Sequence, residues 1–267
     1  MNKVQFIHGL NAPRAQFADN IAINIRRNLP TLQTKRAMVV GGGPSVADHI
    51  EDIRKHQAKG WTLTAVNGAH DWLLGHNICP DACVLMDSTK AVSTFVKRAH
   101  DGCTYYLASQ CHPSMFDKLS GADVVMWHAH LDEASNRAIE AFDPDATIMA
   151  GANTAGLHAI ALEYMKGVRK LRVYGLDSSH APSGDHAYDN SQQAPTNEVE
   201  FFFGGERFLS TGTWAAQAEM FCRFWPKYFQ LGMRIEVIGD GLLPAMARAV
   251  QQKFMSDLIN ATSQTGN

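Results

Sequence analysis

The sequence has few cysteines and no long hydrophobic run, and both shortages exclude whole classes of protein. Its five cysteines include no CxxC pair and are odd in number, so we expect no disulfide framework and a reducing compartment. No stretch approaches the roughly 18 uncharged apolar residues of a membrane-spanning helix, and the first residues lack the apolar core of a secretory signal. We therefore expect a soluble, cytoplasmic protein with no membrane span.

An excess of charge of either sign is also missing. The 24 lysines and arginines stand against 26 aspartates and glutamates, which gives a net charge of −2. A chain so balanced has no global field that would draw it onto nucleic acid or an anionic membrane. With 267 residues, of which 45% are hydrophobic, it is long enough to bury a full core.

The sequence does contain a regular alternation of short apolar runs with helix-like segments. The apolar runs predict strands at Ala37–Val40, Leu63–Val66, Ala82–Met86, Thr104–Ala108, Val124–Met126, Leu171–Tyr174 and Ile235–Ile238. The segments between them predict helices at Val46–Ala58, Ala69–Leu74, Ala91–Ala99, Pro113–Leu119, Ala134–Phe142, Thr154–Met165 and Trp214–Leu231. Because alternating strands and helices require crossover connections, we predict a Rossmann-like α/β fold, a mostly parallel sheet with helices on both faces.

The same pattern divides the chain. Residues 1–35 are predicted to form an N-terminal helical segment, residues 36–250 a single Rossmann-like nucleotide-binding domain, and residues 251–267 a C-terminal helix or tail. Residues 180–200 are rich in Pro, Gly, Ser, Asn and His and have no periodicity. A loop that long is typical of a lid or binding loop, or else of a disordered segment. It follows a predicted strand, so we expect it at the sheet edge where open α/β folds bind ligands.

A glycine-rich turn, VVGGGPSV, follows the first predicted strand. Its candidate binding residues are Gly41, Gly42, Gly43, Pro44 and Ser45. Backbone amides and the helix dipole at such a turn favour an anion, and we predict that it binds nucleotide phosphates. The turn is not a Walker A loop, and Val46 stands where a dinucleotide fingerprint has its third glycine. The alternative is a tight turn that needs glycine only for its backbone angles.

Polar residues also follow two further predicted strands, as Asn67-Gly68 and Asp87-Ser88. Side chains at the carboxyl ends of neighbouring parallel strands converge on one crevice. We predict that Asn67 contacts a base or ribose and that Asp87 binds a ribose hydroxyl or a metal. The alternative is that both only cap the helices that follow them. A second small-residue turn precedes the predicted helix Thr154–Met165, which Asn153 or Thr154 would cap.

The last candidate group follows the strand that ends at Tyr174. Asp177 comes just after this strand, and His180 and His186 lie in the loop beyond. A histidine near its ordinary pKa can act as a general base, and carboxylates can bind Mg²⁺ beside phosphates. The alternative is a flexible polar loop whose histidines have no function. The aromatic run Phe201-Phe202-Phe203 indicates core or a subunit interface, and a homo-oligomer is one expectation.

Four stretches, taken in their order and spacing, resemble the MptE-like family. They are VVGGGPS, AVNGAHDWLLGHNICPDACVLMDS, GANTAGLHAIALEYMKGVRKLRVYGLDSS and EVIGDGLLP. This superfamily includes the archaeal 6-hydroxymethyl-dihydropterin diphosphokinase and the flagellin-modifying motility accessory factors, and it is similar to bacterial sialyltransferases with a G-x-GPS loop. The chain is similar in length to small phage-encoded members, which would act in the host cytoplasm. It departs from the family pattern at Val46, where leucine is usual.

The resemblance implies a nucleotide-dependent transferase and leaves two reactions open. The sialyltransferase-like and accessory-factor branches transfer a sugar from a nucleotide-sugar donor, whereas the archaeal branch transfers diphosphate from ATP to a pterin alcohol. The implied roles are phosphate binding by the glycine turn, nucleoside or Mg²⁺ binding by Asn67 and Asp87, donor binding by Asn153 and Thr154, and transfer at Asp177 with His180 or His186 as base. A magnesium ion, if one is used, would lie at Asp87 and Asp177.

The number of basic residues near the expected crevice helps to distinguish these reactions. Lysines and arginines near the expected crevice are few, with Lys90 the best placed. Diphosphoryl transfer depends on charge neutralisation, so this scarcity favours a glycosyltransferase, or else a strongly metal-dependent mechanism. A non-catalytic nucleotide- or sugar-binding module is a third hypothesis. The acceptor stays open among a protein, a glycan, a modified DNA base and a small alcohol.

Overall fold

The computed structural model describes residues 35–130, 132–149, 154–189 and 197–264. The predicted N-terminal helical segment lies outside these ranges except for its last residue, as do Asn153 and the 190–196 part of the predicted lid-like loop. From Lys35 onward the chain forms one unit.

The centre of this unit is an eight-stranded sheet in which every neighbouring pair is parallel. Its strands are β1 (Lys35–Val40), β2 (Thr62–Val66), β3 (Ala82–Leu85), β4 (Thr104–Ala108), β5 (Val124–Ala129), β6 (Ile148–Met149), β7 (Val168–Tyr174) and β10 (Arg234–Ile238). Their order is β10-β7-β1-β2-β3-β4-β5-β6. The last four residues of β1 are fully buried, because a parallel strand covered on both faces needs a continuous apolar run.

Helices connect the strands. They are α1 (Ile50–Ala58), α2 (Ala69–Gly75), α3 (Pro113–Lys118), α4 (Glu133–Phe142), α5 (Ala155–Met165), α6 (Gly212–Gln230) and α7 (Leu242–Gln264), with 3-10 helices at Pro44–His49 and Lys90–Thr94. The predicted α/β fold class is thus confirmed. Helix α7 runs across the predicted boundary at residue 250. Among the helices in the described ranges, none is long and apolar enough to cross a bilayer.

One local prediction was wrong, and a hairpin was not predicted. The predicted helix Ala91–Ala99 is a short 3-10 helix at Lys90–Thr94. The region after the long loop contains an antiparallel hairpin of β8 (Glu198–Phe203) and β9 (Glu206–Thr211), which was not predicted. Gly204 and Gly205 form its two-residue turn, both with positive φ, as the common hairpin turns require.

The order of the strands creates a crevice beside β1. The chain proceeds from β1 through β2 to β6 on one side, whereas β7 and β10 lie on the other. Open α/β sheets bind ligands at such a reversal, beyond the carboxyl ends of the strands. The connections that follow β1 and β7 contact each other there, since the Gly43 amide donates to the Gly175 carbonyl at 2.8 Å.

Candidate functional site

A cleft of about 510 Å³ lies at this edge of the sheet. The predicted site residues that line it are Gly41, Gly42, Gly43, Asn67, Asp87, Ser88, Thr154, Asp177 and His186. Residues from five separate strand ends or loops are therefore brought together. Among the remaining predicted residues, Gly68 lines a neighbouring cavity, and Asn153 lies outside the described residues.

Most backbone amides of the glycine turn donate hydrogen bonds to other groups of the protein. Gly41 donates to Tyr174 and Gly43 donates to the Gly175 carbonyl, each at 2.8 Å. The Ser45 amide donates to Asp177 Oδ2 at 2.8 Å. These three amides are therefore not available to a phosphate, which corrects the predicted mode of binding. Within the described residues, the Gly42 amide has no hydrogen bond.

The glycines are needed for close approach and not for special backbone angles. Neither Gly41 nor Gly42 has a positive φ, so the predicted alternative of a turn that needs glycine for its backbone angles does not explain them. A Cβ at Gly41 would lie 2.5 Å from the Gly175 carbonyl oxygen. A Cβ at Gly42 would lie 2.7 Å from the Cε1 atom of the Tyr188 ring. Each distance is shorter than van der Waals contact.

Asp177 supplies the anion at the start of the 3-10 helix that follows the turn. Its carboxylate accepts hydrogen bonds from the Ser45 amide at 2.8 Å and from Ser45 Oγ at 2.6 Å. The residue is only 3% exposed, and burial raises the pKa of its carboxyl although the bonds from Ser45 lower it. Gly43 packs against the same carboxylate, since its Cβ would lie 2.5 Å from Oδ2. This geometry favours a positioning role for Asp177.

Tyr188 covers the cleft side of the turn. Its ring lies across Gly42 and Gly68, whose Cβ atoms would come within 2.7 and 2.8 Å of it. The loop backbone is fixed nearby, because the Ala187 amide donates to the Gly42 carbonyl at 2.9 Å. The first half of the predicted lid-like loop therefore folds over the glycine turn. Sequence reasoning did not single out Tyr188, since nothing in the loop marks which side chain turns inward.

The two candidate histidines differ in their access to the cleft. His186 lines it, with its ring 5.3 Å from that of Tyr188 and its Nδ1 3.4 Å from the Asp185 carboxylate. Burial lowers the pKa of His186, against the nearby Asp185, so the imidazole is neutral and able to accept a proton at neutral pH. His180 packs against Trp214 at 5.0 Å instead.

Buried amide atoms without partners face the same cleft. Asn67 has a positive φ of 50°, and its Oδ1 has no hydrogen bond among the described residues. The same holds for both amide atoms of Gln110, which also lines the cleft. Buried polar groups are normally satisfied, so these atoms indicate places for a ligand. Gln110 follows β4 as Asn67 follows β2, and the rule that identified Asn67 would have found it.

The other polar residues of the cleft belong to strand and helix ends. Asp87 Oδ1 accepts from the Thr89 amide at 2.7 Å. Thr154 caps α5, because its Oγ1 accepts from the Leu157 amide at 3.4 Å, and Gly156 in the first turn also lines the cleft. The positive end of the α5 dipole thus faces the cleft.

The charges in the cleft are mainly negative. Its described lining contains the carboxylates of Asp87, Asp177 and Asp185 and no lysine or arginine. Magnesium at Asp87 and Asp177 stays a prediction; each Asp177 oxygen already accepts one hydrogen bond from Ser45. Across the described chain, no three His, Cys, Asp or Glu side chains form a group able to hold a metal.

Comparisons with known proteins agree with the fold and extend it to a family. A solved structure of a MAf glycosyltransferase from Magnetospirillum magneticum AMB-1 is similar with a TM-score of 0.60 and 18% sequence identity. The likeness covers 85% of this chain but 38% of that one, and at this identity it shows a shared fold. A search of curated proteins gives no match. The family model described as 6-hydroxymethylpterin diphosphokinase MptE-like matches residues 15–182. Since this is more than half of the sequence, the chain belongs to the MptE-like family.

Proposed function

We propose that the protein is a glycosyltransferase that moves a sugar from a nucleotide-sugar donor to an acceptor hydroxyl. Membership of the MptE-like family supports a transferase. The observation that carries the nucleotide reading is the set of unpartnered amide atoms on Asn67 and Gln110 at one sheet edge. An amide offers a donor and an acceptor side by side, as recognition of a base edge requires.

The spacing of these two residues suits a nucleoside. Asn67 and Gln110 follow β2 and β4, which flank β3 in the sheet. Alternate strands lie about 10 Å apart, which leaves room for a base between the two side chains. Asp87 follows β3 between them and has a carboxylate that can accept from a ribose hydroxyl.

The phosphate of the donor would lie at the start of α5 and beside the Gly42 amide. A helix N-terminus and a backbone amide favour one phosphate. The three carboxylates of the cleft and its lack of described basic side chains disfavour the high charge of a triphosphate. This balance supports sugar transfer over diphosphoryl transfer from ATP.

His186 is the proposed general base. The acceptor oxygen bonds to the anomeric carbon of the sugar, and the bond from that carbon to the nucleotide phosphate breaks with its electron pair leaving on the phosphate. The acceptor proton passes to a neutral imidazole nitrogen of His186. Asp185, 3.4 Å from Nδ1, would stabilise the imidazolium that forms.

A thermal-shift panel tests this function. The probes are CMP, UDP, GDP, ATP and sugar derivatives of CMP and UDP, each with and without Mg²⁺. We expect stabilisation by one nucleotide and its sugar derivative without a metal requirement. Stabilisation by Mg·ATP alone supports the second candidate, the diphosphokinase described by the family model. No response to any nucleotide contradicts both enzymes and leaves a non-nucleotide binding module.

Gln110→Ala is the matched variant. It should reduce the response to the nucleotide by about tenfold in affinity, because a base contact is lost, while the unliganded protein melts at an unchanged temperature. Gln57→Ala is the control, since Gln57 bonds to the Cys79 carbonyl on the exposed surface. An unchanged nucleotide affinity in Gln110→Ala contradicts the proposed base pocket.

A further inference from the structure

We propose that a second cavity beside the nucleotide cleft is the acceptor subsite and that it binds a sugar or a similar polyol ring. This inference rests on the proposed transferase function. The cavity has a volume of about 310 Å³ and is lined by residues that include Gly68, Asp71, Trp72, Phe95, Lys97 and Tyr188. Small-molecule sites run from roughly 300 to 1,000 Å³, so this one suits a single ring.

The two cavities meet at a shared wall. Phe95 and Tyr188 line both of them. His186, the proposed base, lies next to this wall with its ring 5.3 Å from that of Tyr188. An acceptor hydroxyl that reaches the wall from the second cavity would therefore approach both the base and the group carried by the donor.

A carboxylate held in one orientation defines the polar side of the cavity. Asp71 Oδ1 lies 2.8 Å from His70 Nδ1, and its Oδ2 accepts from the Lys97 amide at 2.9 Å. The Asp71 side chain is 20% exposed, so it keeps access to the cavity. Each oxygen retains a lone pair that can accept from a ligand hydroxyl.

A buried chain of hydrogen bonds, from Tyr105 through His70, ends at the Asp71 carboxylate and fixes its position. His70 and Tyr105 are both 0% exposed, and the Tyr105 hydroxyl lies 2.9 Å from His70 Nε2. The hydroxyl also accepts from the His100 amide at 2.7 Å. Because the Asp71 carboxylate can only accept, Nδ1 is the donor to it, and in a neutral ring Nε2 then accepts from the Tyr105 hydroxyl. Two buried polar side chains thus fix one accessible carboxylate. Binding sites need this kind of support for their contact residues, whereas a solvated surface aspartate does not.

Three aromatic side chains also line this cavity, beside Thr94, Lys97 and Asp189. Trp72, Phe95 and Tyr188 present apolar ring surface, and such rings bury the C–H face of a ligand while the carboxylate accepts from its hydroxyl groups. A sugar ring has both kinds of surface. A folded protein or a DNA duplex cannot enter a cavity of this size, so an acceptor of either kind would have to present one such ring.

Ligand-observed NMR tests the subsite. Saturation-transfer spectra are recorded with methyl glycosides of glucose, galactose and N-acetylglucosamine, on protein saturated with the nucleotide that stabilises it. We expect at least one glycoside to bind together with the nucleotide. Asp71→Asn should weaken that glycoside by about tenfold, as expected for one charge-assisted hydrogen bond, and leave the nucleotide affinity unchanged. The control Asp117→Asn, on the exposed surface of α3, should change neither.

Tyr105→Phe tests the positioning chain. It removes the hydroxyl that fixes His70 and should raise the glycoside dissociation constant severalfold at constant nucleotide affinity, a selective effect that general destabilisation would not produce. The inference is overturned if the nucleotide displaces the glycoside, if Asp71→Asn binds it normally, or if 6-hydroxymethylpterin binds in place of every glycoside. Nucleotide binding without any glycoside response refutes the subsite alone. Glycoside binding without any nucleotide response refutes the proposed function and leaves a sugar site.

Discussion

Alanine substitutions at the adjacent glycines Gly41 and Gly42 should affect different properties. Gly41→Ala should lower the stability of the fold, and Gly42→Ala should alter nucleotide binding. At Gly41 the new Cβ would lie 2.5 Å from the Gly175 carbonyl oxygen and 2.6 Å from Leu176 Cδ2. A backbone oxygen cannot rotate away, so β1 and β7 would have to separate by about 1 Å at their carboxyl ends to restore normal contact.

That separation weakens specific bonds. The Gly41 amide bonds to Tyr174 and the Gly43 amide to Gly175, both at 2.8 Å, and each is worth about 1 kcal/mol. Overpacking adds about 1–3 kcal/mol. We therefore expect Gly41→Ala to lower the free energy of unfolding by about 4 kcal/mol, which corresponds to a melting temperature about 10 °C lower.

Gly42→Ala should instead change the affinity for the nucleotide and have little effect on the free energy of unfolding. Its Cβ would contact the hydroxyl end of the Tyr188 ring, and a side chain can rotate away at a cost of about 0.5–1.5 kcal/mol. Urea unfolding and nucleotide titration on both variants measure the contrast. The reasoning is refuted if Gly42→Ala destabilises the fold as much as Gly41→Ala, or if Gly41→Ala melts within about 2 °C of the wild type.

Two further predictions concern ionisable groups. The pKa of Asp177 is raised on folding, so its protonation contributes stability that is present below the ordinary value of 3.8 and is lost as the pH rises through the raised pKa. Urea unfolding across this pH range should show the loss in the wild type and not in Asp177→Asn. Parallel pH profiles for the two proteins would contradict the prediction. His186→Ala should keep nucleotide affinity and lower kcat by about 10²- to 10⁴-fold. Because burial lowers the pKa of His186, wild-type activity should fall only at pH values below 6.5, and full activity in His186→Ala would remove the histidine from the mechanism.

The fold was predictable from sequence because buried parallel strands have continuous apolar runs, and β1 is the clearest example. The error at Lys90–Thr94 has a local cause. Ser93 Oγ donates to the Lys90 carbonyl at 2.9 Å, and Thr94 Oγ1 donates to the Ala91 carbonyl at 2.7 Å. Such bonds compete with continued helix formation. The hairpin β8–β9 has a sequence signal in Gly204-Gly205, because paired glycines are typical of two-residue hairpin turns.

The site was predictable in position but not in detail. Polar residues after strands identified Asn67 and Asp87 as cleft residues, since that rule depends only on sheet topology. The partners of the glycine turn could not be read in the same way, because Ser45 and Asp177 are 132 positions apart. A turn whose sequence suggests phosphate binding can instead donate to a carboxylate that is far away in the sequence but follows the neighbouring strand.

The position of Tyr188 has a consequence for the order of binding. Its ring contacts Gly42 in the cleft at the sheet edge and also lines the neighbouring cavity. A ligand that lifts the ring on one side changes the shape offered on the other, so the two binding equilibria are linked. Linkage is reciprocal: whatever factor the first ligand imposes on the affinity of the second, the second returns to the first.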